Sequence, residues 1–257
     1  MPFHFPRKPE IRLEQPPLIE VVCQVKFPAI LRIAKEGPSE FQEIVRERFP
    51  QIEVEQNVQL QIPGIGGEEG PAVNAPARVY RFRSPDTEKA ISLGIDFFAL
   101  STTRYIHWDD FAGDLKFAYD SVQRVYNLLY LTRIGLRYIN RLTLSNTGSH
   151  TVDEMLGFLV SELRALLSTE AWSDPASTLS QVALSQDDIS LVLRTGYGKD
   201  DKEPFFILDF DCFTQGKLAL ENVIGRCDRF HEIIYDAFRW CVRDEKLTAF
   251  KPVDERN

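Results

Sequence analysis

The chain has 257 residues, 44% of them hydrophobic and 11% aromatic, with 18 phenylalanines; that is enough apolar surface for a sizeable core and excludes a largely disordered protein. Its formal charge of −8 argues against binding nucleic acid through overall charge, although a local basic face remains compatible with it. No run of 18 apolar residues occurs, so no membrane-spanning helix is expected.

Residues 1–17 carry Pro2, Pro6, Pro9, Pro16 and Pro17. Proline neither continues a helix nor donates fully to a sheet, so this stretch reads as an extended arm. Its start has no apolar core segment of the kind a secretory signal needs. The stretch 19–27 alternates, with Val21, Cys23, Val25 and Phe27 on one side and Glu20, Gln24 and Lys26 on the other, and reads as a half-buried strand. A helix follows, with Phe41, Ile44, Val45 and Phe49 on one stripe; Ser39 and Gln42 resemble a capping box just after Pro38. Next come a strand at 58–62, a loop at 63–76 holding Gly64, Gly66, Gly67 and Gly70, and strands at 78–83, 90–100 and 104–107. A helix over 109–130 sets Phe111, Leu115, Ala118, Val122 and Val125 at helical spacing.

The order then recurs. A strand at 134–144 leads to a helix over 151–167, where Thr151 and Glu154 form a second capping-box candidate. Strands at 179–185, 189–195, 205–213 and 217–221 precede a closing helix over 223–244 that buries Phe230, Ile233, Ala237 and Cys241. The residues after Phe250 read as a frayed polar tail. A shift of 115 positions carries Ile19, Val21, Cys23 and Phe27 onto Ile134, Leu136, Tyr138 and Leu142, and carries Leu115, Ala118, Tyr119 and Val122 onto Phe230, Ile233, Ile234 and Ala237. The same shift, with no gap, lays Ile91, Leu93, Ile95, Asp96 and Phe98 on Phe206, Leu208, Phe210, Asp211 and Phe213. Separated segments sharing one offset indicate a duplicated unit. The expected fold is α+β: an arm at 1–17, a unit at 18–130, a second at 131–250 and a tail at 251–257. Each unit runs strand–helix–four strands–helix, on a curved antiparallel sheet with helices on one face. This order resembles the pseudo-symmetric saddle of the TATA-binding-protein-like fold.

If helices cover one sheet face, strand parity delivers polar side chains to the other. That set holds Arg81 and Arg83, Arg133, Arg137 and Arg141, and Arg194, six arginines whose planar forks suit phosphate or carboxylate. Asp96, Asp209 and Asp211 share the face, either pairing with the arginines across strands or joining them in a ligand groove. Phe98 and Phe213 are the only candidates there for stacking a nucleic-acid base. His231 stands one helical turn after Cys227, but the further ligands of a zinc site are missing, and its apolar neighbours suit a hydrogen-bonded structural histidine. The four cysteines show no metal or redox spacing and read as reduced buried thiols of a cytoplasmic protein. Phosphate-loop, nucleophile-elbow, zinc-protease and kinase signatures are all absent.

Three stretches, Pro16–Val22, Gly135–Arg141, and Leu208-Asp209-Phe210-Asp211 with His231 and Phe238 downstream, resemble a sporadically distributed bacterial family of about this length whose members have no assigned activity. The resemblance implies a cytoplasmic protein of bacterial defence or mobile-element type. The expected function is a non-enzymatic binding or sensor module with no cofactor. It would use the open face for a protein partner, an anionic ligand or nucleic acid. A metal-dependent enzyme acting through Asp96, Asp209 and Asp211 on a phosphate-bearing substrate is the alternative, as is an assembly subunit such as a homodimer paired through sheet edges.

Overall fold

Residues 3–56, 78–167, 172 and 175–253 are described in the computed structural model. The strand expected at 58–62, the loop at 63–76 and the end of the tail lie outside them. In chain order the elements are β1 (Leu18–Lys26), α1 (Leu31–Glu36), α2 (Ser39–Val45), β2 (Gln51–Gln56), β3 (Arg78–Arg83), β4 (Lys89–Leu93), β5 (Phe97–Thr102) and α3 (Trp108–Tyr126). Then follow β6 (Leu131–Thr143), α4 (Leu144–Thr147), α5 (Val152–Leu156), α6 (Ser161–Arg164), β7 (Ser180–Gln186), β8 (Ile189–Lys199), β9 (Pro204–Leu218) and α7 (Val223–Cys241), with a 3-10 turn at Asp244–Phe250. The class is α+β, as the sequence indicates.

The nine strands among the described residues form one open antiparallel sheet in the order β2-β3-β4-β5-β1-β6-β9-β8-β7. The first strands of the two units are neighbours at its centre. Val22 there pairs with Arg137, and Val21 and Cys23 pair with Tyr138 and Leu136. Val22 lies opposite its own mate at the 115 offset, and Val21 and Cys23 each lie opposite the mate of the other, so a local two-fold relation runs through the Val22–Arg137 pair. The long helices keep the same offset: α3 and α7 each span 19 residues and start 115 apart.

Period-2 and period-3.6 patterning meet on one side of the sheet. Val21, Tyr138, Phe210 and Leu193 form one buried row, and Leu100, Cys23, Leu136, Cys212 and Leu191 form another. Helix α3 lays Phe111, Leu115, Ala118 and Val122 over them, and α7 adds Cys227, Phe230, Ile234, Ala237 and Cys241. One cluster of buried side chains runs through both halves, so the two units share a core. Phe82, Phe98, Phe206, Phe210 and Phe230 are wholly enclosed in it, and truncating any one to alanine costs about 3–5 kcal/mol. All four cysteines are buried and unbridged. Among the described residues, no helix is long and apolar enough to cross a membrane.

Several expected elements differ. The strand read over 90–100 is a hairpin, β4–β5, because the chain turns at Gly94 and Asp96. Leu100 pairs with Cys23 and Phe210 with Tyr138, so β5 matches β9 at a shift of 110 rather than 115. Phe98 therefore packs in the core beside Val25, not on the open face. No strand forms at 104–107, and the segment at 217–221 is the end of β9 followed by a turn. Among the described residues the second unit thus has three strands after its helices, while the first gains β2, whose Ile52 and Val54 alternate with Gln51 and Glu53. The helix expected over 151–167 breaks into α5 and α6, since Val160 is extended between them. Thr151 does cap α5, accepting from Glu154 N at 3.2 Å. Ser39, by contrast, is the first residue of α2, and no side chain caps that helix. Helix α3 stops at Tyr126 because Asn127 turns left-handed (φ 47°).

Candidate functional site: the open sheet face and the cleft beneath the arm

The side chains of alternate parity stay outside the core cluster, which leaves this sheet face uncovered by the described helices. At its centre Arg137 grips Asp209 bidentately, Nε to Oδ1 at 2.6 Å and Nη2 to Oδ2 at 2.7 Å, and Arg194 Nη1 adds a longer contact at 3.4 Å. Arg133 donates from Nη2 to both oxygens of Asp211, at 2.9 and 3.1 Å, while its guanidinium lies over the Phe213 ring at 4.7 Å. Arg133 reaches across Gly135: a Cβ on that glycine would lie 2.3 Å from Arg133 Nη1. Arg141 covers the Phe205 ring at 4.2 Å and pairs with Asp200, whose carboxyl that hydrogen bond holds well below the usual range. On the other flank, Arg81 pairs with Glu55 at 2.8 Å and Arg83 with Glu53 at 2.9 Å.

All six arginines thus sit on one face as parity requires, and each meets a carboxylate from a neighbouring strand or turn. Of the two readings the sequence leaves open, cross-strand pairing is the one seen for Arg133, Arg137 and Arg194 with Asp211 and Asp209. Asp96 is not on this face at all. It lies in the β4–β5 turn, where its carbonyl accepts from Phe27 N at 2.9 Å. Asp209 and Asp211 are engaged by arginine, and among the described residues no group of three His, Cys, Asp or Glu side chains converges as a metal would need.

These charges are fixed rather than loosely solvated. The Asp209 side chain is only 5% exposed and Arg137 only 15%. Burial opposes the Arg137 charge, yet the Asp209 hydrogen bonds together with the attraction of Asp209, Asp211 and Glu20 outweigh it and raise the guanidinium pKa. Glu20, beside them on β1, behaves oppositely: burial pushes its carboxyl up, against the pull of Arg137 and Arg81.

A second constellation lies on the helix-covered side, where β6, α7 and the arm meet. His231 on α7 stacks on Trp108 with ring centroids 4.7 Å apart and planes 6° from parallel. Its Nδ1 is 3.0 Å from Tyr138 Oη, and its Nε2 is 3.4 Å from Glu10 Oε1 of the arm. The Tyr138 and Tyr105 hydroxyls are 3.4 Å apart. Burial raises the pKa of both phenols, which keeps them as hydroxyls and donors, and the His231 hydrogen bond lowers that of Glu10. Beside this polar group opens a cleft of about 90 Å³ with a mostly apolar lining. The expected structural role of His231 accords with these bonds. The Cys227–His231 zinc pairing does not form, since Cys227 Sγ instead meets Cys23 Sγ at 3.7 Å. Asn140, buried on the same side, donates to the Leu208 carbonyl at 3.4 Å, the bracing role its position suggests.

Sequence reasoning missed this cleft because its parts come from four separated segments. The arm gave no sign that it straps α7, where Tyr235 Oη donates to Pro9 O at 2.9 Å and accepts from Ile11 N at 2.8 Å. What fold and site define is an α+β protein with one open sheet face of paired charges and a strapped apolar cleft behind it. Comparison with models of known protein families and with curated proteins returns no match.

Proposed function

We propose that the chain is a non-enzymatic binding module whose working surface is the open face of the sheet, and that its partner is a protein. The observation supporting this is the lattice of interlocked pairs, Arg133–Asp211 and Arg137–Asp209–Arg194, on a side no described helix covers. Such a lattice is costly to assemble unless its geometry matters, and fixed charges of both signs suit a partner surface of complementary pattern. A free phosphate or nucleic-acid backbone would have to displace bound carboxylates, so a polyanion fits this face less well. The metal-dependent alternative is disfavoured by the same pairs, which occupy the lone pairs a cation would need.

The test is steric and leaves the charges alone. Ser101 lies on the open face between Ala90 and Val22, and Asp120 lies on the outer side of α3, 57% exposed. Ser101→Trp should lose the partner that co-purifies with the wild type, while Asp120→Trp keeps it and both variants melt as the parent does. Retention by Ser101→Trp would sink the proposal.

A further inference from the structure

We propose that the cleft under the arm binds a small monocarboxylate with an apolar body, and that Glu10 is its built-in competitor. The site lies on the opposite side of the sheet from the surface proposed above and stands independently of it. Three observations lead to this ligand class. The first is the make-up of the lining: Leu13, Leu18, Ile106 and Phe238 are apolar, while His231, Tyr138 and Asn140 are polar, with His231 and Tyr138 joined at 3.0 Å. That is the usual make-up of a small-molecule site, an apolar body pocket with few convergent polar groups.

The second is what already occupies the polar end. The Glu10 carboxylate sits at His231 Nε2, and His107 also acts on it electrostatically. A carboxylate is therefore the group this end accepts. With Nε2 facing the carboxylate, Nδ1 is left beside the Tyr138 hydroxyl, from which it can accept. The Tyr138 hydroxyl thus backs a histidine whose Nε2 faces an anion.

The third is room and release. A cavity of about 90 Å³ is smaller than the roughly 150 Å³ that holds a benzene ring, so a ring-sized ligand enters only when the Glu10 side chain leaves. That departure is easy. The Glu10–His231 contact is long, and the Glu10 side chain is 51% exposed. The arm is anchored independently on both sides of it, by Lys8–Asp244 and Pro9–Tyr235 before and by the Leu13–Pro252 bridge after. The ligand carboxylate would take over the place of Glu10 while the arm backbone stays.

The probe is benzoate, with benzyl alcohol as its uncharged counterpart, added to the full chain. Binding is read by the emission of Trp108, which stacks on His231, and by the rise in Tm that ligand binding produces. Glu10→Gln keeps the arm but removes the competing charge, so benzoate should bind it about tenfold more tightly than wild type, the loss of one charge-assisted competitor. Benzyl alcohol should bind both proteins weakly and equally. His231→Gln should abolish the benzoate response while circular dichroism remains native; if that variant fails to fold, the comparison of wild type with Glu10→Gln decides alone. No saturable benzoate response in Glu10→Gln, a response unchanged by His231→Gln, or equal affinity in wild type and Glu10→Gln would each overturn the proposal.

Discussion

The Arg137–Asp209 pair carries a quantitative consequence. Asp209 is nearly enclosed, receives two short hydrogen bonds from Arg137, and among the described residues has only the 3.4 Å contact to Arg194 in reserve. Removing one partner of a buried ion pair costs 3–5 kcal/mol, chiefly because the other charge is stranded. Arg194 stays and some water reaches the site, so Arg137→Met should cost about 3 kcal/mol, at the low end of that range. Asp209→Leu strands two arginines that retain partial exposure, for about 2 kcal/mol. The double variant strands only Arg194, which keeps its bond to Gln181 at 3.0 Å, and should also cost about 2 kcal/mol, giving a coupling energy of roughly 3 kcal/mol. Urea unfolding of the three variants and the wild type measures all four corners. Additive losses of about 5 kcal/mol in the double variant, or single losses under about 1 kcal/mol, would show that the two charges act independently. In that case Arg137 would be free to take an anion.

Other outcomes follow from single groups. Thr214 Oγ1 is buried with no hydrogen-bond partner among the described residues, so Thr214→Val should raise stability by about 1 kcal/mol; a loss in the unfolding midpoint would mean the hydroxyl is bonded. Asp114, 6% exposed, holds both Arg48 and Lys89, and Asp114→Asn should cost about 2 kcal/mol, since the stranded cations reach solvent. Glu20 has its carboxyl raised by burial. Stability from its protonation is therefore full below the unfolded value of about 4.3 and is lost as pH rises through the higher folded value. Glu20→Gln should melt above wild type at pH 7 and level with it at about pH 3.5; an equal gain at both would refute the assignment. Gly135→Ala should disturb Arg133 and its bonds to Asp211, seen as a shift of the Arg133 side-chain resonance, because the added methyl meets the guanidinium.

Much of the architecture was legible because its signals are local. The alternation around Val21 and the helical spacing around Leu115 each repeat at 115, and these are the segments that keep that offset in the fold. The hairpin in the first unit was hidden by chance. Gly94, Ile95 and Asp96 sit inside an alternating apolar run, and the ungapped match to β9 rewarded reading through them, although Gly94 is itself a turn signal. That one error moved Asp96 off its strand and Phe98 to the wrong face. The arginine face was legible from strand parity alone. Its neutralisation was only half so, since pairing depends on which strands are neighbours, and Glu53 and Glu55 belong to a strand not read at all. The cleft depends on long-range closure, Glu10 meeting His231 across most of the chain, which no local pattern encodes.

The most direct test of the open face as a working surface is site-specific photocross-linking in the native cell. A benzophenone side chain placed at Ser101 faces the same side as Arg137, while one at Asp120 faces away with α3. One discrete protein adduct is expected from position 101 and none from position 120. Adducts from 120 alone, or from neither position, would contradict it.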